Sequence, residues 1–372
     1  RLVRTHAATV LGHNGPEAIE PDRPFTELGF DSLTATQLRT RINSVTGLHL
    51  PPMVVFDSKT PAQLVQRICA GLDGETPSPE ATGIVGRPGG GGAAETLTEL
   101  WRAGILAGDA PKTFTMLRAV ADLRPQFASL VELDSLPEPI TLSEGPQEPR
   151  LICLSSPMVG GGGHQHARLA AHFRGERRVS GLALPGFGDG DRLPATAAAA
   201  VEALAEAVLR TAEGEPFVLV GFSSGGVLAY ATAHFLEQRQ AQVAGVVLLD
   251  SYAVTDDSMP SGFEHMSYRL LEMESAFGPY RSAELTAMSR YFHFLPALTR
   301  ETVKAPVLFV GVEKSFIPDT DSGDSADFPR ALPWDPAHSF VTSSGNHFSL
   351  IEEDAEETAG IIGQWLRSGD QG

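Results

Sequence analysis

The run Phe217-Val218-Leu219-Val220-Gly221-Phe222-Ser223-Ser224-Gly225-Gly226 constrains this chain more than any other stretch. Its first six residues read as a strand buried on both faces, and such strands belong to parallel sheets covered by helices. A Gly-x-Ser-x-Gly pattern follows directly, and a helical pattern then runs from Val227 to Gln238. Strand, tight turn and helix in that order place a serine at the apex of a strained turn, where only small neighbours let the backbone pass. Ser223 is therefore expected to be a nucleophile. The amide of Ser224, with the helix N-terminus behind it, is expected to face a developing oxyanion.

The surroundings repeat the same grammar. After Pro149, apolar runs fall at Leu151–Leu154, Val179–Leu184, Phe217–Phe222, Val246–Leu249 and Val307–Val312. Helical stretches, His166–Phe173 and Ala197–Ala212 among them, separate most of these runs, and a last one covers Glu356–Leu366. This alternation predicts an α/β fold with a parallel sheet. The interval from Tyr252 to Thr302 is too long for a simple crossover. It holds helical segments near 268–277 and 283–294, and reads as an insertion over the carboxyl edge of the sheet.

A serine nucleophile needs a base, and the base needs an orienting acid. In this fold class the chain order is Ser, acid, His. Asp250 ends the run Val246–Leu249 at the sheet edge where ligands bind, and that placement favours the acid role over a helix cap or turn aspartate. His347, in Gly345-Asn346-His347-Phe348, follows the strand-like Ser339–Thr342 and precedes the final helix, the expected place for the base. The loop Ser155–Gly160 should supply the second oxyanion amide, with Met158 the first choice and Val159 the reserve. His164 and His166, with His172 beyond, have a metal-ligand spacing but no nearby Asp or Cys, so no metal is expected.

Ahead of this region the composition changes twice. Residues up to about Leu72 read as short helices, Val3–Leu11, Leu33–Val45 and Pro61–Leu72, joined by proline-containing loops. Asp73 to Glu95 is rich in Pro, Gly, Ser and Ala, which predicts a flexible linker. Its Gly89–Gly92 run lacks the Lys-Ser or Lys-Thr of a phosphate loop. From Thr96, a capping-box pattern with Glu99 opens a helix carrying Leu97, Leu100, Trp101 and Ile105 on one face. A second helix after Asp109 carries Phe114, Met116, Leu117, Val120 and Leu123. These faces need a partner, and the residues leave open whether it is the main domain or a second copy of the chain. In Glu27-Leu28-Gly29-Phe30-Asp31-Ser32-Leu33, Asp31 and Ser32 stand at a helix start that suits either a phosphodiester or a plain cap.

A formal net charge of −18 over 372 residues repels phosphate backbones and anionic lipid surfaces, so neither nucleic acid nor membrane is an expected partner. Cys69 and Cys153 read as buried thiols, in keeping with a reducing cytoplasm.

Leu28–Leu33, with Thr46-Gly47 and Val55-Phe56-Asp57, resembles the acyl carrier domain of a modular type I polyketide synthase. Residues 96–372 are similar to the thioesterase that ends such assembly lines, most tellingly at Leu123–Phe127, Leu184–Gly188 and Gly221–Gly226. The resemblance implies an α/β-hydrolase fold with a helical lid at 252–300. It places a four-helix carrier, entered part-way, at 1–72, a linker at 73–95 and dimerisation helices at 96–130, which makes a homodimer the expected assembly. It implies 4′-phosphopantetheine on Ser32, attached by a phosphopantetheinyl transferase that Asp31 helps to recognise. Upstream synthase domains would deliver a polyketide acyl chain to Ser223, which acts with Asp250 and His347. Release would give a macrolactone or a free acid, in a bacterial cytoplasm. An editing or free-standing hydrolase, or a non-catalytic carrier and dimerisation module, are the alternatives. Many relatives carry His immediately before the nucleophile, where this chain has Phe222.

Overall fold

The computed structural model describes residues 2–10, 15–23, 25, 28, 38–39, 41–42, 55, 58, 60–72, 96–254, 270–271, 274, 279–298, 302–314 and 339–369. The chain divides into two compact units, 1–94 with 269–279, and 95–268 with 280–372.

The first unit is helical. Helix α1 (Leu2–Val10) and helix α2 (Pro61–Leu72) each turn an apolar stripe inward, Val3 and Ala7 on one, Leu64 and Ile68 on the other. This i, i+4 spacing is what one face of a helix presents. Ile19, Phe25, Leu38, Ile42 and Val55 complete a closed core. The Arg4 guanidinium ties the following turn to α1 by donating to the carbonyls of Ile19 and Pro16, at 2.7 and 2.9 Å. Of the helix expected over 33–45, residues 38–39 and 41–42 are seen as helical. Asp31, Ser32 and the linker expected at 73–95 lie outside the described residues.

The second unit is built on a six-stranded sheet. Its strands are β1 (Ile140–Leu154), β2 (Arg177–Leu182), β3 (Phe217–Phe222), β4 (Val243–Leu249), β5 (Val307–Lys314) and β6 (Ser339–Asn346). They lie in the order β2-β1-β3-β4-β5-β6 and pair in parallel, so β3 sits near the middle. Among the described residues seven helices accompany the sheet: α3 (Thr96–Leu106), α4 (Ala110–Asp122), α5 (Ala167–Ala171), α6 (Ala197–Ala212), α7 (Ser224–Gln238), α8 (Ser282–Leu298) and α9 (Ala355–Gly369). The alternation of β3 sorts its side chains by face. Val218, Val220 and Phe222 join Leu151, Cys153, Val247, Leu249, Leu308 and Val310 in one core, capped by Leu169, Phe173 and Ile362. Gly221 points the other way, onto the start of α7. Each fully buried Val or Leu of this core contributes about 1.5–3 kcal/mol, so the sheet is the rigid frame of the unit.

The helices α3, α4 and α8 form a separate layer. Trp101, Ile105, Phe114 and Leu117 are buried, Trp101 edge-on to Tyr280. Polar bonds tie the layer together: Thr98 Oγ1 donates to the Tyr280 carbonyl at 2.6 Å, and Arg290 pairs with Asp122 at 2.7 Å. Arg124, just after α4, donates to the carbonyls of Ala283, Gly186 and Asp191 and to Thr286 Oγ1, each at 2.9 Å.

Three expectations shift. Helix α7 begins at Ser224 rather than Val227, and β1 begins at Ile140, well before Leu151. In the two leading helices the buried stripe is Thr98, Trp101, Ile105, Phe114 and Leu117, while Leu100 and Leu123 are exposed. The apolar faces thus divide, one part against α8 and another left outward. Of the lid expected at 252–300, the structure describes residues 252–254, 270–271, 274 and 279–298, and 269–279 group with the first unit.

Candidate active site

The turn between β3 and α7 is built from close contacts that exclude side chains. A Cβ on Gly221 would sit 2.4 Å from Gly226 Cα, and one on Gly226 would sit 2.2 Å from Ser251 Oγ. Between them Ser223 adopts φ +54°, ψ −132°, a conformation that costs a non-glycine residue roughly 1–3 kcal/mol. Its backbone is held at both ends: the Ser223 amide donates to Leu249 O at 2.9 Å, and its carbonyl accepts from Gly226 N at 3.0 Å. Helix α7 starts at the next residue, so its unsatisfied amides lie beside the serine.

Asp250, directly after β4, is also left-handed at φ +44°, and its amide donates to Val310 O at 2.8 Å. Its carboxylate is buried and fully engaged. Oδ2 meets His347 Nδ1 at 2.6 Å, and Oδ1 accepts from the Tyr252 hydroxyl at 2.8 Å. His347 follows β6 in a turn fixed by Asn346, whose Oδ1 accepts from the amides of Phe348 and Ser349. The imidazole side chain is 14% exposed and lies between two rings. Phe222 tilts across it with centroids 4.6 Å apart, and Phe348 meets it edge-on at 5.1 Å.

The loop after β1 passes over the same turn. A Cβ on Gly225 would lie 3.0 Å from Ser156 N, so glycine sets how closely the two segments approach. Ser155 N donates to Leu182 O and Ser156 N to Gln165 Oε1, at 3.1 and 2.7 Å. Pro157 has no amide proton. Met158 is thus the first residue of this loop whose amide is not engaged by a described partner. Its carbonyl accepts from Gly161 N at 3.0 Å, which shapes the turn.

The three histidines of the next segment do not converge. His164 and His172 are exposed, whereas His166 is buried with no hydrogen-bond partner for Nε2 among the described residues. Burial alone pushes its pKa down to about 4. Among the described residues no group of three His, Cys, Asp or Glu side chains could hold a metal. Cys153 is a buried free thiol, pushed up to about 12 by desolvation.

The structure therefore brings Asp250 and His347 into direct contact and sets Ser223, Ser224 and the Met158 loop around the adjoining strand end. Ser32 is not among the described residues. Sequence reasoning missed Tyr252, Gln165 and the ring contact of Phe222. The first two sit in loops without periodicity, and only their hydrogen bonds reveal them.

A serine on a strained turn after a central parallel strand, with an Asp–His pair at the same edge, defines a serine hydrolase of the α/β type. The chain belongs to the thioesterase domain family, matched over residues 149–366, and residues 1–68 match the phosphopantetheine attachment site family. The enzyme is a serine thioesterase carrying a domain that takes phosphopantetheine covalently.

Over 99% of its length the chain is 38% identical to the polyketide synthase GfsE of Streptomyces halstedii, covering 10% of that protein. It is 32% identical to the erythronolide synthase EryA3 of Saccharopolyspora erythraea, again over 99% of the chain and 11% of the relative. The chain thus spans about a tenth of these relatives, carrier and thioesterase aligning as one continuous stretch. The solved NocB thioesterase domain, from the nocardicin cluster, matches 62% of this chain and 98% of its own at 24% identity, with a TM-score of 0.45.

Proposed function

We propose that this didomain releases a finished polyketide acyl chain, with Ser223 as nucleophile, His347 as base and Asp250 as orienting acid. The observation that carries the reading is the 2.6 Å contact between His347 Nδ1 and the buried Asp250 carboxylate, at the strand edge where Ser223 is held at φ +54°. In that contact Nδ1 carries the proton, leaving Nε2 to accept one from a serine hydroxyl. The amides of Ser224 and Met158 are the proposed oxyanion donors.

Ser32 is the proposed attachment point of 4′-phosphopantetheine, with Asp31 beside it for recognition by a phosphopantetheinyl transferase. It lies in sequence between Leu28, packed at the edge of the helical core, and Leu38, fully buried in it. Bound to Ser32, the arm supplies a thiol that holds the acyl chain as a thioester. Ser223 attacks the thioester carbonyl as His347 takes its proton, and the oxyanion collapses with departure of the thiol, which is protonated by His347. The acyl group is then an ester of Ser223. Attack by a substrate hydroxyl gives a macrolactone, and attack by water gives the free acid; His347 removes the proton in either case.

The proposed organisation is a carrier at 1–72, a linker at 73–95 and a thioesterase at 96–372, with a lid at 252–300. A homodimer through 96–130 would cover Leu100, Leu106 and Leu123, which are 52%, 70% and 86% exposed in the single chain. Upstream polyketide synthase domains are the proposed source of the acyl chain, and a bacterial cytoplasm the proposed setting.

A fluorophosphonate probe tests the nucleophile. Labelling of the wild type and none of Ser223→Ala is expected, and equal labelling of both would sink the assignment. Product analysis with a hydroxyacyl thioester, scoring lactone against acid, then reads which second half-reaction the lid permits.

A further inference from the structure

We propose that Tyr252 is a positioning residue for the reaction: its hydroxyl fixes the plane of the Asp250 carboxylate and thereby the aim of the His347 ring. The proposal rests on the assignment of Asp250 and His347 as acid and base. An aspartate's terminal torsion is soft and roughly two-fold, so a single hydrogen bond leaves its carboxylate free to rock. Here both oxygens are committed, Oδ1 to the Tyr252 hydroxyl at 2.8 Å and Oδ2 to His347 Nδ1 at 2.6 Å. Two anchors on opposite oxygens define a plane where one would define only an axis. The Asp250 backbone is fixed as well, by its amide bond to Val310 O, so the carboxylate has neither main-chain nor side-chain freedom.

The tyrosine is itself braced by the sheet. Its ring meets Phe309 of β5 edge-on at 5.5 Å, and Phe309 in turn packs against Phe340 of β6 at 5.6 Å. Strand β5 lies between the strand that delivers Asp250 and the strand that leads to His347, yet supplies neither. Through Phe309 and Tyr252 it sets the carboxylate that joins them. The orientation of the acid is therefore keyed to two neighbouring strands as well as to its own turn.

The test uses the full chain and a hydroxyacyl N-acetylcysteamine thioester as substrate. Tyr252→Phe keeps the ring on Phe309 and removes only the hydroxyl. It is expected to lower kcat about tenfold, the worth of one hydrogen bond to a charged group, with KM unchanged within about twofold. In an Asp250→Asn background the same change is expected to cost nothing further, because its effect passes through the carboxylate. Phe309→Leu, which keeps the hydroxyl but removes its brace, should give a smaller kcat loss with KM again unchanged, and covers the case of a poorly folding Tyr252→Phe. A raised KM with kcat retained, or a full Tyr252→Phe penalty in the Asp250→Asn background, would show the hydroxyl to act on substrate and overturn the proposal. Full activity of Tyr252→Phe beside an inactive Ser223→Ala overturns the positioning role alone. Turnover by Ser223→Ala overturns the underlying assignment.

Discussion

The strand-to-helix turn around Ser223 and the helical layer of α3, α4 and α8 are held by different physics. The turn is a backbone construction. Gly221 and Gly226 let segments approach within distances no side chain would tolerate, Gly225 makes a third tight approach, and the Ser223 and Asp250 main chains are clamped by strand carbonyls. The layer is a side-chain construction. Its apolar contacts through Trp101, Phe114 and Leu117 are supplemented by Arg124, Thr98 and Arg290, whose polar groups reach across to carbonyls and an acid. The first kind of joint has one solution, whereas the second can be rebuilt with other residues. A chain made this way can keep its chemistry fixed while the surface over it varies.

Substitutions at the two joints should differ in kind, and the largest effect is expected at the turn. Gly226→Val would drive its side chain into Ser251, where even a Cβ lies 2.2 Å from Oγ, and should cost more than about 3 kcal/mol in urea unfolding and abolish fluorophosphonate labelling. A well-folded, labelled Gly226→Val would erase the distinction drawn here. Arg124→Met comes next. It deletes four hydrogen bonds, three part-buried and one exposed, so a loss of about 2 kcal/mol with labelling retained is expected.

The effect that is smallest at neutral pH is a pH slope. His166 has a folded pKa near 4 against an ordinary 6.5, so the unfolded chain takes up its proton first. Its contribution is complete above about pH 6.5 and drains away as the pH falls toward 4. His166→Leu should flatten the unfolding free energy over that window by one proton, about 1.4 kcal/mol per pH unit. An unchanged slope would mean that the histidine finds a partner or water on protonation.

The sheet was legible in the sequence because continuous apolar runs such as Phe217–Phe222 have few other readings, and helix α6 was expected at Ala197–Ala212 and found there. Ser223, Asp250 and His347 were legible because each ends or follows a strand. The earlier part of β1, Ile140–Pro149, was not: it is largely solvated and carries Pro146 and Pro149, so it offers neither an apolar run nor clean strand propensity. The burial of α3 was misjudged for a related reason. Thr98 is polar, yet it is buried because its hydroxyl finds the Tyr280 carbonyl, a partner 182 residues away that no local pattern announces. Tyr252 escaped notice likewise, since a lone tyrosine after a strand signals nothing until its hydroxyl is seen on Asp250.

The contact between Asp250 and His347 joins residues 97 apart, and Ser223 precedes both. During synthesis the proposed nucleophile emerges from the ribosome well before the proposed base has been made. On the proposed assignment, Ser223 has no base until β6 has paired with β5 and carried His347 to the Asp250 carboxylate.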